Sequence, residues 1–254
     1  MGEIGLVLSG GGARGAAHIG VIKALEEFGV VISRVSGTSA GSIVGALYAT
    51  GHSSKEILEI VTQVTIYNSV RPAWARSGLL RMDGLKELLS KHVPGDFGQL
   101  KKPMTIAATE ITRGEVRYFE QGDLIPAILA SCSIPAIFSP LQLDGFMYVD
   151  GGLLDNLPVR PIREKCDFII GSHCNQVSQS FDPANLKVVI ERSLLMAIGA
   201  NTMVSKNLCD LVIEPPGLDK YSSFDIGKAK EIFDLGYKFT KENFSKANFE
   251  KILG

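Results

Sequence analysis

The spacing of apolar residues changes period several times along the chain. Ile4 to Ser9 (IGLVLS) is a short continuous apolar run that stops at glycines, the pattern of a strand buried on both faces. AAHIGVIKALEEFG then places apolar residues at helical spacing and closes at Gly29, where a C′ glycine ends a helix. A second strand-like run covers Val30 to Ser36. Gly41 to Thr50 predicts a second helix that closes at Gly51, and Ser53 with Glu56 forms a capping box that opens a third. The order strand-loop-helix-strand-turn-helix-helix predicts a parallel sheet covered by helices.

Further on, the periodicity predicts a helix over Asp83 to His92, strands at MTIAATEI and EVRYFEQ, and a helix at GDLIPAILAS. A strand ends at Asp150 in FMYVDGG. DFIIGSHCN is another buried strand, Leu186 to Leu208 carries a long helical pattern, and CDLVIEPP is a last strand stopped by two prolines. Phe224 to Leu253 is amphipathic and helical. Residues 66–82 fit neither period. With no internal repeat, low-complexity segment or linker, residues 1–254 predict a single α/β domain with a mainly parallel central sheet.

Composition narrows the function classes. The net charge of −1 gives no basic excess to attract nucleic acid. No apolar run approaches the roughly 18 residues of a membrane-spanning helix. MGEIGLVLSG lacks the basic region of a secretory signal, and Leu6 breaks the myristoylation pattern that Gly2 would begin. The four cysteines (Cys132, Cys166, Cys174, Cys209) form no CxxC pair and are too few for a disulfide scaffold, which points to reduced thiols and a cytoplasmic protein.

Candidate chemistry begins at LSGGGARGAAHIG. Gly10, Gly12 and Gly15 match GxGxxG, but a dinucleotide site needs an acidic residue at the end of the second strand, and that strand ends RVSG. No Gly-Lys-Ser/Thr comes after the glycines, so a P-loop fails as well. The second strand runs instead into GTSAG: Gly37, Thr38, Ser39, Ala40 and Gly41. This GxSxG between strand and helix is the context of a nucleophile elbow, which needs small flanking residues around a sharply turned serine. Adjacent βα loops of a parallel sheet emerge at one edge. The amides around Gly11 and Gly12 would then face Ser39 and donate to an oxyanion, each such donor being worth about 3 kcal/mol. Arg14 either adds charge for a phosphate head group or braces the loop. For the base, the chain offers His18, His52, His92, His173 and its carboxylates. Asp150 ends a strand and precedes Gly151-Gly152, which also suits an ordinary turn aspartate.

GGGARG, GTSAG and DGG, in that order, resemble the motifs of the patatin-like phospholipase family. SCSIPAIFSP and GGLLDNLPV resemble its segments around the third motif. The resemblance implies a patatin-like fold, a lipid ester substrate and a Ser–Asp dyad without histidine. It assigns Ser39 as nucleophile, Asp150 as base, and Gly10, Gly11, Gly12, Ala13, Arg14 and Gly15 as the oxyanion-hole loop. It implies no cofactor, and metal-ligand spacings such as HExxH are absent from the sequence. An esterase triad of Ser39, Asp150 and His173 stays open as an alternative, since its chain order fits, as does a non-catalytic regulator that keeps the fold. Oligomeric state is not legible. Tyr67, Val70, Trp74, Leu79 and Leu80, interleaved with Arg71, Arg76 and Arg81, suit transient contact with a membrane surface.

Overall fold

The computed structural model describes residues 2–69, 82–135, 137–177, 183 and 186–249. The first strand, β1 (Ile4–Leu8), is buried throughout. Its side chains alternate between two cores. Leu6 and Leu8 join Ile19, Ile22 and Leu25 of helix α1 (Ala16–Glu27). Val7 faces the other way, onto Leu157, Val159, Ile162 and Ile169. A strand covered on both faces has to be apolar at every position, which is why its sequence shows no alternation.

β2 (Arg34–Thr38) leads into α2 (Ala40–Thr50), and α3 (Ser54–Ser69) and α4 (Asp83–His92) come after it. The capping box is present: Ser53 N–H donates to Glu56 at 2.8 Å, and Glu56 N–H to Ser53 Oγ at 3.3 Å. Next come β3 (Met104–Glu110), β4 (Glu115–Phe119), α5 (Leu124–Ser131), β5 (Leu141–Leu143) and β6 (Phe146–Asp150). Short helices α6 (Gly152–Asp155) and α7 (Arg160–Arg163) precede β7 (Phe168–Ser172), α8 (Leu186–Lys206), β8 (Leu211–Ile213) and α9 (Ala229–Asn243). The strands form one sheet in which hydrogen bonding links β5 to β6, β6 to β3, β3 to β2, β2 to β1, β1 to β7 and β7 to β8, with β4 paired to β3 as well. β3, β2, β1, β7 and β8 are parallel; β4 and β6 pair antiparallel with β3, and β5 pairs antiparallel with β6.

Three elements differ from the sequence pattern. β2 begins at Arg34 rather than Val30. Val30 and Ile32 are buried, 4% and 2% exposed, while Val31 is 58% exposed. The alternation is that of a loop tucking two side chains into the core, and it mimics a strand. α3 continues through Ser69, into the stretch whose periodicity predicted no element; most of the aromatic–arginine segment, residues 70–81 with Trp74, lies outside the described residues. The C-terminal amphipathic pattern resolves into α9 between short 3₁₀ turns.

The pairing around β3 positions the site. β2 pairs with β3 up to Thr38, opposite Ala107, while β6 pairs with β3 up to Asp150, opposite Ala108. β4 occupies the other edge of β3. β2 and β6 therefore share one edge of β3, run toward each other, and end at consecutive residues. Ser39 comes one residue after Thr38, so the sheet delivers Ser39 and Asp150 to the same point from opposite directions.

Candidate active site

Ser39 sits at φ 51° and ψ −122°, a left-handed conformation rare for a residue with a Cβ. Such strain costs about 1–3 kcal/mol and persists only where the surroundings impose it. They do so here through a tight crossing: a Cβ at Gly37 would lie 2.5 Å from the Gly41 carbonyl oxygen. The Ser39 N–H donates to Ser131 Oγ at 2.8 Å, and the same hydroxyl donates to the Ala107 carbonyl at 2.6 Å. Thr38 Oγ1 donates to the Asp155 carbonyl at 2.9 Å. Ala40 opens α2, so the Ser39 hydroxyl lies at a helix N-terminus, where the dipole favours negative charge.

Asp150 is 8% exposed. Burial raises its pKa from about 3.8 to about 6, with hydrogen bonds from the Ser39 hydroxyl and the Gly152 amide pulling partly the other way. The Gly152 N–H lies 2.8 Å from Asp150 Oδ1. The Gly151 N–H, 3.4 Å from the Ser131 carbonyl, ties the turn to the end of α5. The serine and the carboxylate are thus in direct hydrogen-bonded contact, in a site dry enough to make the carboxylate a stronger base than it is in water.

The glycine loop runs beside them. The Gly10 N–H donates to the Asn156 carbonyl, Ala13 N–H to the Ser223 carbonyl, and Arg14 N–H to the Gly11 carbonyl. Gly11 and Gly12 amides make no hydrogen bond to the described residues, and both residues line the cavity that holds Ser39 and Asp150. Gly12 has φ +59°, and a Cβ there would run into the Ser223 carbonyl. Gly15 is held against Ala40, whose Cβ would be 2.6 Å from a Cβ on Gly15. Of the two roles open for Arg14, bracing is the one its contacts fit. The side chain is 5% exposed, with Nε donating to the Tyr221 carbonyl at 2.7 Å and Nη1 to the Gln176 carbonyl at 3.0 Å.

His173 lies elsewhere. Its Nδ1 is 2.7 Å from Glu214 Oε1, and Glu214 also accepts from Lys206 at 2.7 Å. Burial lowers the His173 pKa despite the Glu214 contact. The ring is therefore neutral near pH 7, with Nδ1–H donating to the carboxylate and Nε2 buried without a partner among the described residues. His173 lines neither cavity at Ser39. His18 is fully buried; its ring contacts the Ser9 carbonyl and Ser172 Oγ, and burial lowers its pKa to about 4. The geometry offers Ser39 a carboxylate and no imidazole, which removes the ground for the triad.

Sequence reasoning missed the supporting residues. Ser131 positions the Ser39 backbone; it lies in SCSIPAIFSP, but nothing in the spacing marks it. Asp155 and Asn156, in GGLLDNLPV, brace Thr38 and Gly10 through their carbonyls. The Asp155 carboxylate is capped by Tyr118 OH at 2.6 Å and burial raises its pKa.

The model of the patatin-like phospholipases matches residues 6–163, a span that holds all three motifs. The chain belongs to the patatin-like phospholipase family. An uncharacterized NTE family protein of Mycobacterium bovis is 39% identical over 163 residues, 63% of this chain and 45% of that protein. The lysophospholipase nte1 of Neurospora crassa is 27% identical over 287 residues, 99% of this chain and 19% of that one. The chain thus spans less than half the length of these relatives. Among solved structures, VipD from Legionella pneumophila superposes with a TM-score of 0.57 at 18% identity, covering 94% of this chain and 66% of that one, a likeness of fold.

Proposed function

We propose that this patatin-like chain is a serine lipid acyl hydrolase, acting on phospholipid or lysophospholipid esters through a Ser39–Asp150 dyad. The observation that carries the reading is the buried Asp150 carboxylate hydrogen-bonded to the hydroxyl of a strained serine, at the head of an apolar cavity of about 360 Å³. Ser39 Oγ attacks the ester carbonyl carbon as its proton passes to Asp150. The Gly11 and Gly12 amides receive the oxyanion. Collapse breaks the ester C–O bond, Asp150 returns the proton to the departing alkoxide, and an acyl-Ser39 ester remains. Water gives a proton to Asp150, attacks the acyl carbonyl, and releases the fatty acid as Ser39 recovers its proton.

A fluorophosphonate probe should label Ser39, and fatty-acid release from phospholipid and lysophospholipid micelles should vanish in Ser39→Ala. No labelling, or undiminished release from Ser39→Ala, would overturn the reading and leave the non-catalytic regulator.

The same reading brings the protein to a lipid surface, and α8 is the element that suits this. It exposes Leu186, Val189, Ile190, Met196, Met203 and Val204, with Leu186 73% exposed. Leu186 and Ile190 also line the Ser39 cavity, so the exposed apolar face is continuous with the route to the nucleophile. A lipid surface seated there would feed the site. No helix among the described residues is long and apolar enough to cross a membrane. Met196→Asp with Met203→Asp should weaken sedimentation with phospholipid vesicles; unchanged sedimentation would move the contact to another face.

A further inference from the structure

Two apolar cavities meet at Ser39. One, of about 360 Å³, is walled by Asp150, Ile137, Leu153, Leu195 and Ile198. The other, of about 180 Å³, is walled by Ile43, Val44, Val61, Leu85 and Phe138. Gly12, Ser39, Ile134, Ser223 and Phe224 line both, forming the junction and the wall between them. Gly12 and Ser39 therefore sit where a bent ester would place its carbonyl, with one half of the molecule in each arm.

Asp150 lines the larger arm and not the smaller. Resting on the Ser39–Asp150 reading above, this asymmetry assigns the halves. In acylation the proton that Asp150 took from Ser39 must reach the leaving alkoxide oxygen. In deacylation Asp150 must take a proton from water. Both oxygens have to lie on the carboxylate's side of Ser39 Oγ, within hydrogen-bond reach. The acyl group stays bonded to Ser39 between the two events and must not block that approach.

We infer that the smaller arm holds the scissile acyl chain and the larger arm holds the alcohol half of the ester, which carries an apolar chain of its own. The second part rests on the walls of the larger arm. Its polar side chains other than the Ser39–Asp150 pair are Asn156, Asn175 and Ser223, which lie against the glycine loop at Gly10, Gly11 and Gly12. Ile137, Leu153, Leu195 and Ile198 are apolar, and burying unpaired polar groups against them is unfavourable by about 1–3 kcal/mol each. A second acyl chain meets no such penalty. The substrate class is thus a diacyl lipid, in preference to a single-chain lysolipid whose leaving alcohol is glycerol phosphate in character.

The test uses two series of esters in mixed micelles, one varying acyl length at a fixed short alcohol and one varying alcohol-chain length at a fixed short acyl group. Val61→Trp narrows the smaller arm and Ile198→Trp the larger. A bulk change in an apolar pocket discriminates substrates by about 10–200-fold. Val61→Trp should lower the long-to-short ratio of kcat/KM in the acyl series by at least about tenfold and leave the alcohol series with its wild-type slope; Ile198→Trp should do the reverse. Should either variant lose its cooperative thermal unfolding, Leu85→Phe or Leu153→Phe replaces it. Wild type should also favour a diacyl phospholipid over its lysolipid in the same micelles. Effects on swapped series, both variants acting on one series, or a preference for the lysolipid would overturn the assignment while fluorophosphonate labelling of Ser39 persists. Absence of that labelling would remove the parent reading, and this one with it.

Discussion

Replacing Asp150 by asparagine should cost activity and add stability, and the two effects share one cause. In the folded protein burial holds the carboxyl near pKa 6, against about 3.8 unperturbed. Below pH 3.8 it is protonated in both states and contributes nothing. Between the two values the unfolded chain has released its proton and the folded chain has not, so stability falls as pH rises. The slope is about 1.4 kcal/mol per pH unit, because each unit of pKa difference corresponds to about 1.4 kcal/mol. Above pH 6 both states are ionised and the loss levels off at about 3 kcal/mol, from a difference of about two units. Asparagine does not titrate, and its Oδ1 can still accept from the Gly152 amide. The stability gap between variant and wild type should therefore widen by about 3 kcal/mol from pH 4 to pH 7, read by urea unfolding at unit steps of pH. Hydrolysis should move oppositely. Wild-type kcat/KM should climb on an acid limb centred near pH 6, as the base ionises. The variant should lose that limb and about 10²–10⁴ in rate. A gap that stays flat across the range, or activity within tenfold of wild type, would refute the claim that a desolvated carboxylate is the base.

Ser131→Ala leaves the buried Ser39 N–H and Ala107 carbonyl without their partner. It should destabilise the protein by about 2 kcal/mol and lower kcat with little change in KM, because the nucleophile loses its orientation; an unchanged kcat would deny Ser131 that role. His173→Ala should keep most of the activity, since the ring serves Glu214 rather than Ser39. A loss matching that of Ser39→Ala would restore the triad. Gly12→Ala forces a Cβ into a left-handed position against the Ser223 carbonyl. It should destabilise by about 1 kcal/mol or more and reduce kcat; full activity would take the loop out of oxyanion binding.

Most of the scaffold around the site was legible in the chain. The apolar run of β1, the small residues of GTSAG and the glycines after Asp150 are local demands of buried strands and sharp turns, and local demands leave local marks. The strand boundary at β2 was misread because Val30 and Ile32 are buried for a tertiary reason that carries the same alternation as a strand. β5, at three residues, is too short for periodicity to register. The roles of Ser131, Asp155 and Asn156 were illegible for a different reason. Each acts on a partner about 90 to 150 residues away in sequence, and nothing in a serine, aspartate or asparagine records which distant backbone group it will meet.

The head-on meeting of β2 and β6 along β3 bears on how the proposed two-residue arrangement would suffice. In a triad, histidine spans the gap between a serine on one loop and a carboxylate on another. Here the strand that leads into Ser39 and the strand that ends at Asp150 finish opposite Ala107 and Ala108, adjacent residues of a third strand, and leave no gap to span. In the proposed dyad the cost moves to the carboxylate, which would take the proton from serine itself. Burial and the apolar cavity supply the raised pKa that an exposed aspartate lacks. Register along β3 brings the two groups together and desolvation tunes the carboxylate, so changes that shift the pairing of β6 by even one residue would turn Asp150 to the opposite face of the sheet and separate the pair.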